Sequence, residues 1–592
     1  MPMQRFKLAL NQARMPMVPS WSPRAALIPQ LDVIQKSTSQ AFFGAVENAD
    51  FNAPQILYGE NFVPWTQGIK SVSYSQVVPG ITDHTDFDQI FPLRDEEENQ
   101  VLFSPANGAN YIVGPSGVWI ANPPLGQQWA GETPPLFLST ASINNLETAR
   151  VTPAYVDGKT FIAYSGIGLS TTNGGATLDK DGSIYLWNPT TLQFERQNPQ
   201  GTAGLIQNLD IPIGEIGGIA SSNGYLLVWS GLAVHWAAFN GEAFDFTIYA
   251  NGAITGSGSQ IPEDVEGPIT AIRAVSGGFI IFTSRNCVAA YYNANNFASP
   301  WIFKGISNGG GLEDLELSTR ETSKGSIFAY TTGGVQQITL NAAESFAPDV
   351  TDFLGSRSLE RFNLSTMTFT QGRSSSEFFV KMTYVGSRFL VVSYGFIPGT
   401  YSFALIFDTA LQRWGKLRLA HRDAFIYSGT VETVKLTYGM LIDVTYHEMA
   451  DIPYNETTTQ TSGLTYPRQS LAFLLKDGTI KLAVMDFRDK EDDSESFVVL
   501  GKVQLSRSSN VTLHCVEVEG LLADGEEFLR AVHMPNGVDI AGYEEGFVRE
   551  QSSRFTEFGI DMLTGKTFAL VVKGTYELST MIVHASPESS TY

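Results

Sequence analysis

Gly305-Ile306-Ser307-Asn308-Gly309 has the spacing of a nucleophile elbow, in which a serine is raised on a tight strand-to-helix turn. His421 and either Asp349 or Asp352 would have to complete the triad. The elbow needs an α/β sheet, whereas the surrounding sequence reads as β-meander and Gly310-Gly311 prolongs a loop. Ser307 is therefore not read as a nucleophile. His447-Glu448-Met449-Ala450-Asp451 opens like a zinc-protease helix but ends in Asp, where a second imidazole one turn on is required. Residues 441–446 read as strand, and Pro453 follows closely, so a histidine in a turn fits better. Asp179-Lys180-Asp181-Gly182-Ser183 invites a calcium loop. Placing Gly182 at the sixth loop position puts Thr177 first and Asn188 last, where carboxylates belong; a β-turn is the better reading. Glu313, Asp314 and Glu316 could supply a glycosidase carboxylate pair, as could many groupings in an acidic chain. The seven histidines are widely spread. Cys287 and Cys515 sit in alternating apolar runs and read as buried thiols; two cysteines build neither a disulfide framework nor a cysteine-based zinc site. No catalytic, cofactor-binding or metal-ligating set is assigned, no cofactor is expected, and the chain is read as a non-enzyme.

The elements that would position any site are strands. Of 592 residues, 43% are hydrophobic and 12% aromatic, led by 38 Phe and 22 Tyr, while charged residues reach only 17%. Gly-punctuated runs of Ile, Val, Phe and Tyr favour strands over helices, and the length implies several domains. The balance of 38 basic against 60 acidic residues gives a net charge of −22. Tight duplex binding needs a surplus of Lys and Arg to displace counterions, so that function is excluded, whereas letting DNA slide past is not. No run approaches the ~18 continuous apolar residues of a membrane span. Near the start, Leu8-Ala9-Leu10 is too short for a signal-peptide core. The expectation is a soluble chain made in the cytoplasm, and Asn363, Asn455 and Asn510 are read as chance sequons.

Four regions follow along the chain. Residues 1–150 are rich in Pro (Pro16, Pro19, Pro23, Pro29, Pro54, Pro64, Pro79, Pro92) and read as an irregular docking or platform region with a few strands. Residues 151–425 read as β-propeller-like blades. Ile272-Arg273-Ala274-Val275-Ser276-Gly277-Gly278-Phe279-Ile280-Ile281-Phe282 repeats, 54 residues on, the strand–Gly turn–strand texture of Gly218-Ile219-Ala220-Ser221-Ser222-Asn223-Gly224-Tyr225-Leu226-Leu227-Val228. Looser copies run over 325–338 and 378–419. Meanders recurring every ~40–55 residues are the signature of propeller blades, with a sandwich meander as the alternative. Residues 426–495 read as further blade strands with an insertion, including a hairpin turning at Asp477-Gly478. Residues 496–592 read as a C-terminal β-sandwich-like module. The fold class is thus all-β.

Several runs resemble the tail nozzle, or tail tube, proteins of short-tailed bacteriophages. Val234-His235-Trp236-Ala237-Ala238-Phe239-Asn240, followed by Phe244-Asp245-Phe246, is similar to that family's aromatic strand and asparagine turn. Phe279-Ile280-Ile281-Phe282-Thr283-Ser284-Arg285 then leads to Pro300-Trp301-Ile302-Phe303 and Gly309-Gly310-Gly311, an order that resembles the family's blade. Lys476-Asp477-Gly478-Thr479-Ile480 resembles another recurrent element, after which Phe497 stands where the family often has Trp. The likeness spans about 200–590, and its weight is in the order of the runs. It implies a virion protein: a homohexameric, propeller-bearing tube at the distal tail, made in the host cytoplasm. Its partners would be further copies of itself, the adaptor and portal-proximal ring proteins, and tail fibres or spikes. DNA would pass through the lumen without specific binding, and no membrane insertion is implied. The rival expectation is a glycan-binding propeller or polysaccharide depolymerase of a tail.

Overall fold

The computed structural model describes residues 4–9 and 55–587 apart from internal stretches, the longest being 123–149 and 431–466. Among the described residues, seven four-stranded antiparallel blades follow one another along the chain, six as separate sheets and one as part of a twelve-stranded sheet. Blade 1 is built from Phe91–Arg94, Gln100–Ala106, Ala109–Val113 and Trp119–Asn122. Blade 2 starts at Arg150–Val156, blade 3 at Gly218–Ser222, blade 4 at Ile269–Val275, blade 5 at Thr319–Arg320 and blade 6 at Phe379–Val385. Blade 7 takes three strands from Asp423–Thr430, Pro467–Leu474 and Ile480–Val484. Its fourth, outermost strand is Ser73–Val78, from the opposite end of the sequence.

Seven apolar clusters fill the gaps between successive blades. Phe103 and Trp187 share the cluster between blades 1 and 2, Phe161 and Ile219 that between 2 and 3, and Trp229 and Phe279 that between 3 and 4. Ile280 and Ile338, then Val335 and Phe403, then Ile406 and Phe473 continue the series. Phe425 and Trp119 close it between blades 7 and 1. The ring is a seven-bladed β-propeller. As the alternating pattern predicts, Trp229 and Phe282 lie on second strands, both fully buried. The Asp477-Gly478 turn is pinned from two sides. Gly478 has φ 87°, and a Cβ there would meet the Phe87 ring at 2.5 Å.

A β-sandwich stands beside blade 6. Its smaller sheet runs Gln55–Glu60, Phe497–Gln504, Thr567–Lys573, Phe528–His533 and Gly542–Glu545. The facing sheet is continuous with blade 6: Phe62–Trp65 pairs through Phe62 with Lys416 of that blade's outer strand. It then runs through Gly68–Ser71, Tyr576–Pro587, Val511–Leu522, Phe555–Gly559 and Phe547–Gln551. Ile56, Phe62 and Ile69 share this core with Leu513, Phe568 and Met581.

The expected domain boundaries therefore need correction. Residues 1–150 are not one irregular platform: 55–71 are sandwich strands, 73–78 close the propeller and 91–122 form its first blade. The misleading prolines sit where no ladder donor is missed. Pro92 lies on the innermost strand of blade 1, which pairs on one side only, and Pro64 lies beyond the single Phe62–Lys416 pairing. The blade region begins at 91 rather than 151, and the module at 496–592 is complete only with 55–71.

Candidate functional site: the buried polar junction of blades 6, 7 and 1

Polar groups converge where the chain leaves blade 6 and enters blade 7. Outer strand Arg413–His421 ends at His421, and Asp423 begins the innermost strand of the next blade, so His421, Arg422 and Asp423 make the crossing. All three are 3% exposed or less. Asp423 Oδ1 pairs with Lys381 Nζ of blade 6 at 2.8 Å, and its Oδ2 accepts from the Ile90 backbone N–H at 2.9 Å, just before blade 1. One carboxylate thus holds three blades at the point of ring closure. Such a pair, dry and satisfied, fixes geometry; losing one partner leaves an uncompensated buried charge.

His421 sits 2.7 Å from Ser393 Oγ through Nε2 and 2.7 Å from the Leu419 carbonyl through Nδ1. Burial lowers its pKa to about 4, with the Lys381 charge adding to the fall, so the ring is neutral at pH 7. Nδ1–H then donates to Leu419, and Nε2 accepts from the serine hydroxyl. That is the polarity of a serine–histidine pair in acyl transfer, with a backbone carbonyl where a carboxylate would orient the base. Ser393 and His421 are 2% and 1% exposed, so no substrate reaches the hydroxyl, and the pair serves as an interior hydrogen bond.

A second polar knot bolts the sandwich to the propeller. Arg418 Nη1 donates to Glu60 Oε2 at 2.9 Å, and the Tyr58 hydroxyl donates to Glu60 Oε1. Burial and the Glu60 charge both raise the Tyr58 pKa, so it stays a phenol. The Asn61 side-chain oxygen accepts from the Arg418 N–H and the Tyr74 hydroxyl, each at 2.9 Å, and its amide donates to the Glu495 carbonyl. Lys416 Nζ lies 4.2 Å from the Tyr58 ring centre.

A cleft of about 1010 Å³ opens between blades 1 and 2 beside blade 7, with Arg94, Tyr155, Lys159, Trp187 and Tyr427 among its walls. Much of its polar lining is already engaged. Gln100 bonds the Ile426 carbonyl and the Ser428 N–H of blade 7, Arg94 pairs with Glu98, and Asn188 caps its own turn while donating to Glu195.

The residues singled out for chemistry are not brought together. Ser307 is exposed on Trp301–Gly310, in a bulge of blade 4's outer strand, where Asn308 takes φ 61°. This is strand rather than a strand-to-helix turn, and His421 is engaged with Ser393 in blade 6. Asp349 and Asp352 lie on the helix Pro348–Gly355. His447 to Asp451, Asp181 and Gly182, and Glu313, Asp314 and Glu316 lie outside the described residues. Cys287 is buried in blade 4, with its pKa raised to about 12 by desolvation, and Cys515 is buried in the sandwich. The Ser393–His421 pair escaped sequence reading because its partners lie on different strands. The signal was the polar run His421-Arg422-Asp423 set between two apolar strands.

No protein-family model matches the chain, and no curated protein does. Among solved structures, the N-terminal domain of Nup159 aligns over 69% of this chain and 93% of its own, at 7% identity and TM-score 0.30. A protein from Lactobacillus plantarum aligns over 71% and 93%, at 9% identity and TM-score 0.27. A glycoside hydrolase aligns over 86% and 100%, at 11% identity and TM-score 0.19. Likeness at this level carries no argument about what the chain does.

Proposed function

We propose that the chain is a structural subunit of the nozzle at the distal tail of a short-tailed bacteriophage. It forms a homohexameric conduit for genome ejection and an attachment site for other tail parts. The observation that carries the reading is the order of the runs that resemble the nozzle family. They fall on strands and turns of the blades: Val234–Asn240 ends the third strand of blade 3, and Phe279–Arg285 holds the second strand of blade 4. Residues 300–303 open that blade's outer strand, 309–311 end it, and 476–480 turn blade 7. Two features support the role. A propeller locked at its closure and bolted to a sandwich is a rigid subunit, as a ring of heterologous contacts requires. A net charge of −22 per copy repels phosphate and keeps passing DNA from sticking.

Electron micrographs of the purified full-length chain, taken over a concentration series, test the reading. Six-fold rings with a central opening are expected. A chain that remains monomeric, or forms three-fold particles, overturns it, as does one that releases reducing sugar from polysaccharide.

A further inference from the structure

One strand of the large sandwich sheet is held by a single ladder. Gln4–Ala9 pairs antiparallel with residues 580–585, from Gln4↔Ala585 to Ala9↔Thr580, and among the described residues it pairs with no other strand. The acceptor borders the core. Met581, Val583 and Ala585 are no more than 1% exposed and belong to the sandwich cluster. Phe6 stands in register with Val583 and Leu8 with Met581, while the alternate positions are Arg5 and Lys7. Without this strand the sheet would end there in a row of unpaired backbone groups, a template that an extended segment fills by strand addition.

Connectivity does not tie the strand to its own sandwich. The next described strand begins at Gln55, and residues 10–54 can span up to roughly 150 Å. Charge suits this edge as the acceptor. Residues 1–54 carry five basic side chains (Arg5, Lys7, Arg14, Arg24, Lys36) against three acidic (Asp32, Glu47, Asp50), in a chain of net charge −22. Glu517 and Glu519 lie on the adjoining strand, in register with Ile582 and Thr580. The ladder is the same whether the strand comes from within or from a second copy. Exchange therefore sacrifices no contact, and between subunits held close in one assembly it costs little association entropy.

We propose that the edge at 580–585 accepts residues Gln4–Ala9 of a second copy of this chain, so that subunits are linked by donated strands. The proposal rests on the sandwich register and holds whether or not the assembly is a tail part. To test it, differently tagged full-length Lys7→Cys and Ile582→Cys chains, both carrying Cys515→Ser, are co-expressed, purified and oxidised. Directly opposed residues of an antiparallel pair lie within disulfide range. A covalent heterodimer is expected, and the double variant should run as a ladder past dimer on a non-reducing denaturing gel. The out-of-register pair Arg5→Cys and Ile582→Cys should link at least tenfold less. A double variant that closes only on itself, with no heterodimer, overturns the exchange. Absence of any cross-link overturns the register and the proposal with it. Heterodimer without six-fold rings would remove the nozzle reading and leave this one standing.

Discussion

His421 is held neutral by its surroundings, and this has a pH signature. Its folded pKa of about 4 lies below the unfolded value near 6.5, so the unfolded chain binds the proton more tightly. The stability that follows is fully present above pH 6.5 and is lost progressively as pH falls toward 4, by roughly 3 kcal/mol in all. His421→Gln should be less stable than the parent at pH 7.5 yet lose less of its urea midpoint on going to pH 4.5. Comparing midpoints at the two pH values isolates this group from the chain's many carboxylates. Parallel shifts would mean that the ring is not held neutral in the fold. Little of this was legible from sequence, because Ser393 and His421 are 28 positions apart and meet only through the pairing of strands. The failed elbow at Ser307 shows the converse: a matching local pattern means nothing once a bulged strand sets its conformation.

Individual blades were legible because each is a local object. Strand, Gly turn and strand follow within some twenty residues, so Gly218–Val228 and Ile272–Phe282 betray their pairing by repetition. The closing strand was not legible: Tyr74 pairs with Ala483 and leaves no periodic trace. Tyr74 is 3% exposed, packs edge-on against Phe473 at 6.4 Å and donates to Asn61. Tyr74→Ala should cost about 3 kcal/mol or more, through the cavity left beside Phe473 and the lost hydrogen bond to Asn61. Tyr155→Ala, at a side chain half exposed beside the cleft, should cost well under half of that. Thermal or urea unfolding of the two variants checks the ranking. Equal losses would show that the closing strand contributes no more than a surface position.

The whole molecule has two bodies but no simple order of domains, since the sandwich is assembled from both ends of the described chain. Cutting at residue 72 removes four of its strands, Gln4–Ala9, Gln55–Glu60, Phe62–Trp65 and Gly68–Ser71, and bares the core lined by Leu513 and Phe568. A fragment of residues 72–495 should therefore be the better behaved, with a β-type spectrum and one cooperative melt. A fragment of residues 72–592, though longer, should aggregate or bind a hydrophobic dye. If the longer fragment melts like the full chain, the amino-terminal strands are dispensable. Composition and the repeating strand–turn texture put the all-β class, the blades and a carboxy-terminal sandwich within reach. The contribution of 55–71 was hidden because Pro54, just before it, and Pro64 mimic irregular coil.

Ring closure also sets a timetable. At roughly 5–20 residues per second, the ribosome releases Ser73–Val78 some 20–80 s before its ladder partner Ile480–Val484 exists. Blade 1 is made with no blade 7 to lean on, and the four early sandwich strands wait longer still for residues 497–587. Throughout that interval the nascent chain carries apolar strands with open edges, the form in which chains stick to one another. Its earliest-made strands are buried only once its latest-made ones appear.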